Sequence, residues 1–206
     1  MTASAEVALI RHGLPNRVEG VVKPDPDLTI SGHAQARAVS DVLAALPVRT
    51  VASSELVRAR QTAEPTATRL GIDMEIHTDL AEFSNGEDYY IPIEDMIAEA
   101  DPRLDAWRAL AADPQMSATL SRFQATATSA VARLAAGPGL AAVFCHGGVI
   151  GACVTKALGG ARVSLEEPHY GSITRIVIDA DGAWKLRTYN EIHHIERLTA
   201  ISGGTR

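Results

Sequence analysis

Two short segments, RHG at residues 11–13 and CHGG at residues 145–148, each place a histidine and then a glycine directly after an apolar run. Histidine supplies a nucleophile or a hydrogen-bond donor near neutral pH. Glycine lets backbone N–H groups approach an anion closely, and Arg11 adds a positive charge beside His12. These residue types predict a compact anion-binding site built from Arg11, His12 and His146.

A third segment, SSELVRARQTAE at residues 53–64, adds further positive charge. A strand is expected to end at its two serines, and the following helix carries Arg58 and Arg60. Residues two apart on a helix do not share a face. We therefore expect Arg58 to face the anion site and Arg60 to point outward as a salt-bridge partner.

The elements that must position these residues alternate between strands and helices. Six short apolar runs rich in β-branched residues predict buried strands at residues 7–10, 50–52, 74–76, 140–145, 173–178 and 184–189. Strands alternating with helices indicate an α/β fold, a three-layer α/β/α sandwich whose mainly parallel sheet has helices on both faces. In such sheets ligands bind beyond the carboxyl ends of the strands, where both His12 and His146 are expected.

Helical patterns fill the intervals between the strands. We expect helices at residues 31–46, 56–70, 93–112, 117–136 and 149–158. Ser31 is a candidate N-cap, Pro47 ends the first helix, and Pro65 predicts a kink or an interruption in the second. Asp181-Gly182 is typical of a hairpin turn between the last two strands.

Length and composition indicate a single domain over residues 1–206, with residues 82–122 as an excursion that covers the pocket. The net charge of −6 argues against a general nucleic-acid binder. Two cysteines are too few for a secreted disulfide scaffold. The first residues lack the pattern of a signal peptide, and the apolar runs are too short to span a membrane. We therefore expect a cytoplasmic protein.

Other catalytic patterns fail on spacing. A cysteine phosphatase needs Cys, five residues and then Arg, but the sixth residue after Cys145 is Gly151 and the sixth after Cys153 is Gly159. We expect both cysteines to be buried as small hydrophobic residues. The chain contains no P-loop sequence. The adjacent pair His193-His194 lacks a metal-ligand frame, so we expect surface histidines and no metal site.

Taken together, these segments resemble the histidine phosphatase superfamily, in its phosphoglycerate-mutase-like branch. The resemblance consists of RHG at 11–13, SSxLxRAxQTA at 53–63, the Glu of LAE at 80–82 and HGG at 146–148, with LTISGHAQA at 28–36 as a helix opening. These motifs follow the order found in the family and cover most of the chain.

The resemblance implies a role for each candidate residue. His12 is expected to attack phosphorus and form a phosphohistidine, with Arg11, Arg58 and His146 holding the phosphoryl oxygens. Glu82 is expected to protonate the leaving oxygen and then to take a proton from water. Gly147 and Asn16 are also expected at the phosphate, although the spacing of Asn16 from His12 departs from the family pattern.

The resemblance also implies an enzyme without a cofactor or a metal, because the arginines supply the positive charge. Glu82 is followed by FSNG, at residues 83–86, instead of the segment usual in mutases, which favours a phosphatase acting on a small phosphorylated metabolite. A phosphomutase and a non-catalytic phospho-ligand-binding domain remain as alternatives. The expected partners exclude nucleic acid and membranes, and a homodimer is compatible with the sequence.

Overall fold

Six strands form one sheet in the computed structural model, which describes residues 5–16, 25–83, 100, 105, 114–160 and 167–202. The strands are β1 Ala5–Arg11, β2 Val48–Ser53, β3 Met74–Ile76, β4 Leu140–Cys145, β5 Ile173–Ile178 and β6 Trp184–Glu191. Their order across the sheet is β3-β2-β4-β1-β5-β6. The first four run parallel, while β5 and β6 are antiparallel to their neighbours. All six predicted strands are present, but the expectation that they are buried is wrong for β3 and β6, which form the two edges of the sheet and contain no buried residue.

Five α-helices accompany the sheet in the described part of the chain. They are α1 Ile30–Leu43, α2 Val57–Leu70, α3 Pro114–Ala135, α4 Gly147–Ala157 and α5 His193–Ser202, and a 3-10 turn spans Thr78–Leu80. The predicted α/β class with helices on both faces is confirmed.

The strand β1 shows why these apolar runs are continuous. Successive side chains of a strand point to opposite faces of the sheet. Val7 and Leu9 pack on one face with buried residues of α3 and α4. Ala8 and Ile10 pack on the other face with residues of α1 and α2. A strand covered on both faces needs an apolar residue at every position, and the run before Arg11 meets that need.

Some element boundaries differ from the predicted ones. The side chain of Thr29, and not that of Ser31, caps α1 by accepting a hydrogen bond from the backbone N–H of Gly32. The helix α2 continues through Pro65 without interruption. The predicted helix at 93–112 lies almost entirely outside the described residues. The helix α5 was not predicted, and it packs against α1.

Within the part of the chain that the structure describes, no helix combines the length and apolarity needed to cross a bilayer.

Candidate active site

Three neighbouring strands end at the same edge of the sheet and deliver the candidate site residues. Arg11 pairs with Cys145 between β1 and β4, and Ser53 pairs with Phe144 between β2 and β4. The residue that follows each strand therefore emerges beside the other two. The rings of His12 and His146 lie with their centroids 5.1 Å apart. The strand register explains why residues so distant in sequence meet here.

His12 is buried, and its ring has a defined protonation. Its Nδ1–H donates to the carbonyl oxygen of Gly13 at 2.8 Å, so that Nε2 carries the lone pair of the neutral ring. Burial lowers the pKa of His12 well below its usual value, and the nearby Arg58 and Arg11 lower it further. His12 is thus a neutral imidazole with its electron pair on Nε2 at neutral pH, which is the form that a nucleophile needs.

Arg58 extends from the first turn of α2 to the His12 ring. Its Nε lies 3.3 Å from Nε2 of His12, and its Nη1 lies 3.3 Å from a carboxylate oxygen of Asp25. The Asp25 carboxylate also accepts the backbone N–H of Val57 at the start of the helix. A cation as buried as Arg58 requires such partners, and they hold its guanidinium against the His12 ring.

Arg11, the neighbour of His12 in the chain, is held by residues around position 170. Its guanidinium stacks 4.1 Å from the centre of the Tyr170 ring, and its Nη1 donates to the carbonyl oxygen of Pro168. A carboxylate oxygen of Glu167 lies 3.8 Å from its Nη2. The Tyr170 ring also lies 5.4 Å from the His12 ring, between centroids. Tyr170 therefore packs against both residues.

His146 is fully buried at the N-cap of α4. Its Nε2 lies 2.7 Å from the hydroxyl oxygen of Ser54. Burial lowers the pKa of His146 well below its usual value, with Arg58, His12 and Arg11 adding to the effect. This ring is therefore also neutral at neutral pH.

Glu82 reaches the same edge from the end of the 3-10 turn. One carboxylate oxygen accepts the backbone N–H of Gly148 at 3.3 Å, and the other accepts the N–H of Phe83 at 2.7 Å. A Cβ atom at Gly148 would stand 2.2 Å from Glu82 Oε1. The absence of a side chain at Gly148 is therefore what lets the carboxylate rest on the start of α4.

The structure brings five of the seven predicted site residues together and places Gly147 and Asn16 as follows. The structure brings Arg11, His12, Arg58, Glu82 and His146 to one edge of the sheet. Gly147 begins α4, and a Cβ atom there would stand 1.9 Å from Glu167 Oε1. Asn16 is exposed, and its backbone N–H donates to the carbonyl oxygen of Asp27 at 2.6 Å. Its contact with phosphate stays a prediction.

Four residues were assigned no role from the sequence yet support the site. Thr62 accepts the backbone N–H of Gly13 at 2.9 Å and donates to the carbonyl oxygen of Arg58 at 2.7 Å. The other three are Ser54, Asp25 and Tyr170. Thr62 and Ser54 belong to the SSxLxRAxQTA motif, so the motif could have identified them as site residues from the sequence. Nothing in the sequence linked Asp25 or Tyr170 to the arginines.

Further expectations concerned the two cysteines, Arg60 and the adjacent pair of histidines. Cys145 and Cys153 are both buried and free, as expected. Arg60 is exposed, as expected. His193 is exposed, but the expectation of a surface position is wrong for His194, which is partly buried with Nε2 2.9 Å from the carbonyl oxygen of Gly171.

The fold and the arrangement of two histidines and two arginines define a class of protein, and a comparison with known families agrees with it. Residues 7–192 match the histidine phosphatase superfamily, branch 1. The chain therefore belongs to that family. The prediction of an enzyme in the phosphoric monoester hydrolase class is confirmed at the level of the family.

Individual proteins share sequence or fold with this chain. An uncharacterized Mycobacterium tuberculosis protein, Rv0525, is 36% identical over 88 residues, which span 41% of this chain and 44% of that protein. The mycobacterial glucosyl-3-phosphoglycerate phosphatase Rv2419c superposes with a TM-score of 0.71 at 24% identity, covering 90% of this chain and 98% of that one. YhfR of Bacillus stearothermophilus gives a TM-score of 0.74 at 21% identity, covering 92% and 98%. These two solved structures show the shared fold.

Proposed function

We propose that this protein is a metal-independent phosphomonoesterase that acts on a small phosphorylated metabolite through a phosphohistidine intermediate. The observation that carries the proposal is the environment of His12. Its Nδ1–H is engaged by Gly13, and its Nε2 lone pair lies among arginines. Such a group attacks an electrophilic phosphorus, while the arginines attract the anionic substrate.

The first chemical step transfers the phosphoryl group to His12. Nε2 forms a bond to phosphorus, and the bond from phosphorus to the leaving oxygen breaks with its electron pair on that oxygen. Glu82, entering this step protonated, gives its proton to the leaving oxygen as general acid. The products are the free alcohol, phosphohistidine and a Glu82 carboxylate.

The second step returns the enzyme to its starting state. Glu82 takes a proton from a water molecule as the water oxygen bonds to phosphorus. The bond from phosphorus to Nε2 then breaks with its electron pair on nitrogen, which releases inorganic phosphate. His12 again carries a lone pair, and Glu82 is again protonated.

Positive groups around the phosphoryl oxygens stabilise the charge that spreads over them in both steps. Arg11 and Arg58 supply full charges, His146 supplies a hydrogen bond, and Gly147 presents the start of α4 to the anion. We include Asn16 as a further phosphate ligand, on the basis of the resemblance alone.

We further propose that residues 82–122 cover the pocket and select the substrate. The described ends of this segment support the idea, because the rings of Phe83 and Phe123 pack edge to face with centroids 5.4 Å apart. This contact brings the start of the segment, at Phe83, together with Phe123, the residue after its end, and both lie close to Glu82. Loops that surround a rigid site commonly determine specificity.

A cytoplasmic location remains part of the proposal. It is supported by Cys145 and Cys153, which are free thiols in the structure. Free thiols are typical of a reducing compartment.

The deciding experiment measures phosphate release from a panel of phosphomonoesters in the presence of EDTA. We expect release that EDTA leaves unchanged and that His12→Ala abolishes. Arg58→Ala is expected to lower kcat/KM by roughly a hundredfold or more, since it removes a transition-state cation. Arg60→Ala is the matched control, because this exposed arginine lies two residues away on the same helix.

Release that persists in His12→Ala would refute the assignment of the nucleophile. An absence of release from every substrate would contradict the phosphatase proposal, and a transfer assay with a bisphosphorylated primer would then test the mutase alternative.

A further inference from the structure

The contact between Ser54 and His146 raises a question that the phosphatase mechanism leaves open: which nitrogen of His146 carries its proton. Because the ring is neutral at neutral pH, it has one N–H and one lone pair. Ser54 Oγ lies 2.7 Å from Nε2. Among the described residues, no hydrogen-bond partner is present for Nδ1, although that atom is buried.

The hydrogen bonds of the Ser54 hydroxyl decide the direction of this contact. Its oxygen accepts the backbone N–H of Leu56 at 3.3 Å, which is a weak bond. Within the described part of the chain, the acceptor left for the hydroxyl proton is Nε2 of His146. A hydroxyl in this setting donates its proton to a lone pair on Nε2. The single ring proton then resides on Nδ1.

The backbone holds Ser54 firmly in this position. It directly follows β2, and its N–H donates to the carbonyl oxygen of Phe144 at 3.0 Å. Phe144 lies in β4, which ends at Cys145 immediately before His146. The serine and the histidine are therefore joined through two adjacent strands, and their relative position does not depend on a mobile loop.

We propose that Ser54 is a positioning residue that fixes the Nδ1–H tautomer of His146, and that this Nδ1–H donates to a phosphoryl oxygen. The second clause rests on the proposed phosphatase function, whereas the first concerns the protein without ligand. A donor that is buried and unpaired before substrate binds costs no rearrangement when charge develops on the phosphoryl group. Its cost in the free protein is an unsatisfied polar group.

With this contact, both histidines of the site carry their proton on Nδ1, but each presents a different nitrogen to the substrate. In His12 the Nδ1–H is engaged by a carbonyl, so the proton is on Nδ1 and the lone pair is on Nε2, beside Arg58. In His146 the lone pair is engaged by the serine, so the available function is Nδ1–H. One ring thus becomes a nucleophile and the other a hydrogen-bond donor, although both are neutral imidazoles.

The test reads the tautomer directly from long-range 1H–15N correlation spectra of the unliganded protein, with His146→Gln used to assign the signals. We expect a pyrrole-type nitrogen at Nδ1 and a pyridine-type nitrogen at Nε2. Ser54→Ala is expected to mix the two tautomers, and Ser54→Thr is expected to restore the wild-type pattern because it keeps the hydroxyl. Ser53→Ala is the matched control, since the Ser53 hydroxyl is also buried but donates to a backbone carbonyl.

Titration with inorganic phosphate tests the second clause. We expect the largest shift among the His146 nitrogens at Nδ1. In activity assays, Ser54→Ala is expected to lower kcat roughly tenfold, a smaller loss than removal of a donor causes, because the ring still occupies the Nδ1–H form part of the time. Ser54→Thr is expected to recover most of this loss.

A pyrrole-type Nε2 in the wild type would overturn the proposal, as would a Ser54→Ala spectrum with an unchanged tautomer. Phosphate that binds without moving Nδ1 would overturn the donor role alone. Because the tautomer is measured without substrate, these outcomes are separate from a failure of the phosphatase assay, which would refute the proposed function.

Discussion

At the scale of single residues, the proposed chemistry depends on groups whose ordinary properties are changed by a few neighbours. His12 and His146 are neutral because they are buried and lie near cations. Arg58 stays buried because Asp25 and His12 accept its N–H groups. Each of these side chains is unfavourable in isolation, and the site is stable because their requirements are met together.

The proposed acid role of Glu82 leads to a residue-scale prediction about the leaving group. An alkyl alcohol is a poor leaving group and needs a proton, whereas a nitrophenol leaves without one. We expect Glu82→Gln to lower kcat by roughly a hundredfold or more on an alkyl phosphate, and much less on an aryl phosphate with a good leaving group. The comparison requires steady-state kinetics on both substrates. Equal losses would count against Glu82 as the proton donor.

At the scale of elements, the site depends on close approaches between backbone and side chain at the start of α4. Gly148 is such a point, since a side chain there would collide with the Glu82 carboxylate. The helix itself tolerates alanine well, because alanine has a higher helix propensity than glycine. Local stability and catalytic geometry therefore favour different residues at this position.

This conflict predicts that Gly148→Ala loses activity without losing stability. The added methyl group displaces Glu82, and we expect kcat on alkyl phosphates to fall at least roughly tenfold because general acid catalysis is impaired. Gly151→Ala is the control, since it lies in the same helix and nothing within 4 Å would meet its methyl group. Activity assays combined with thermal unfolding distinguish the two variants. Wild-type kcat in Gly148→Ala would show that the observed Glu82 position is not the active one.

At the scale of the whole molecule, the buried histidines tie folding to pH. The pKa of each ring is lowered in the folded protein and returns to about 6.5 on unfolding. The unfolded chain therefore binds more protons below pH 6.5. Stability is fully present above that pH and declines as the pH falls from 6.5 towards the lowered pKa of the folded state.

We expect His12→Gln to flatten this dependence. One histidine contributes a limiting slope of about 1.4 kcal/mol per pH unit to the free energy of unfolding. Urea unfolding at pH 5.5 and 6.5 should show that the variant loses less stability on acidification than the wild type. Arg60→Ala is the control, because it leaves both rings in place. Parallel losses in wild type and His12→Gln would contradict a lowered pKa for His12 in the fold.

The sequence alone determined the strands of the sheet and indicated the candidate site residues. A strand buried on both faces must be apolar throughout, so an apolar run in the sequence indicates its position. His12 and His146 stand out because each directly follows such a strand. Helix ends were less certain, since Thr29 and Ser31 are both capable caps and only the packing of the chain selects Thr29. The short helix α5 was missed because its packing against α1 supplies stabilisation that local propensity does not.

Only the tertiary structure decided how the site residues are held and protonated. Asp25 meets Arg58, Tyr170 covers Arg11, and Ser54 meets His146 across 92 positions of the chain. Contacts of this kind arise from strand order and register, which no local pattern in a single sequence encodes. The candidate catalytic residues can therefore be proposed from the sequence, whereas their pKa values, tautomers and partners depend on burial and distance, which exist only once the chain has folded.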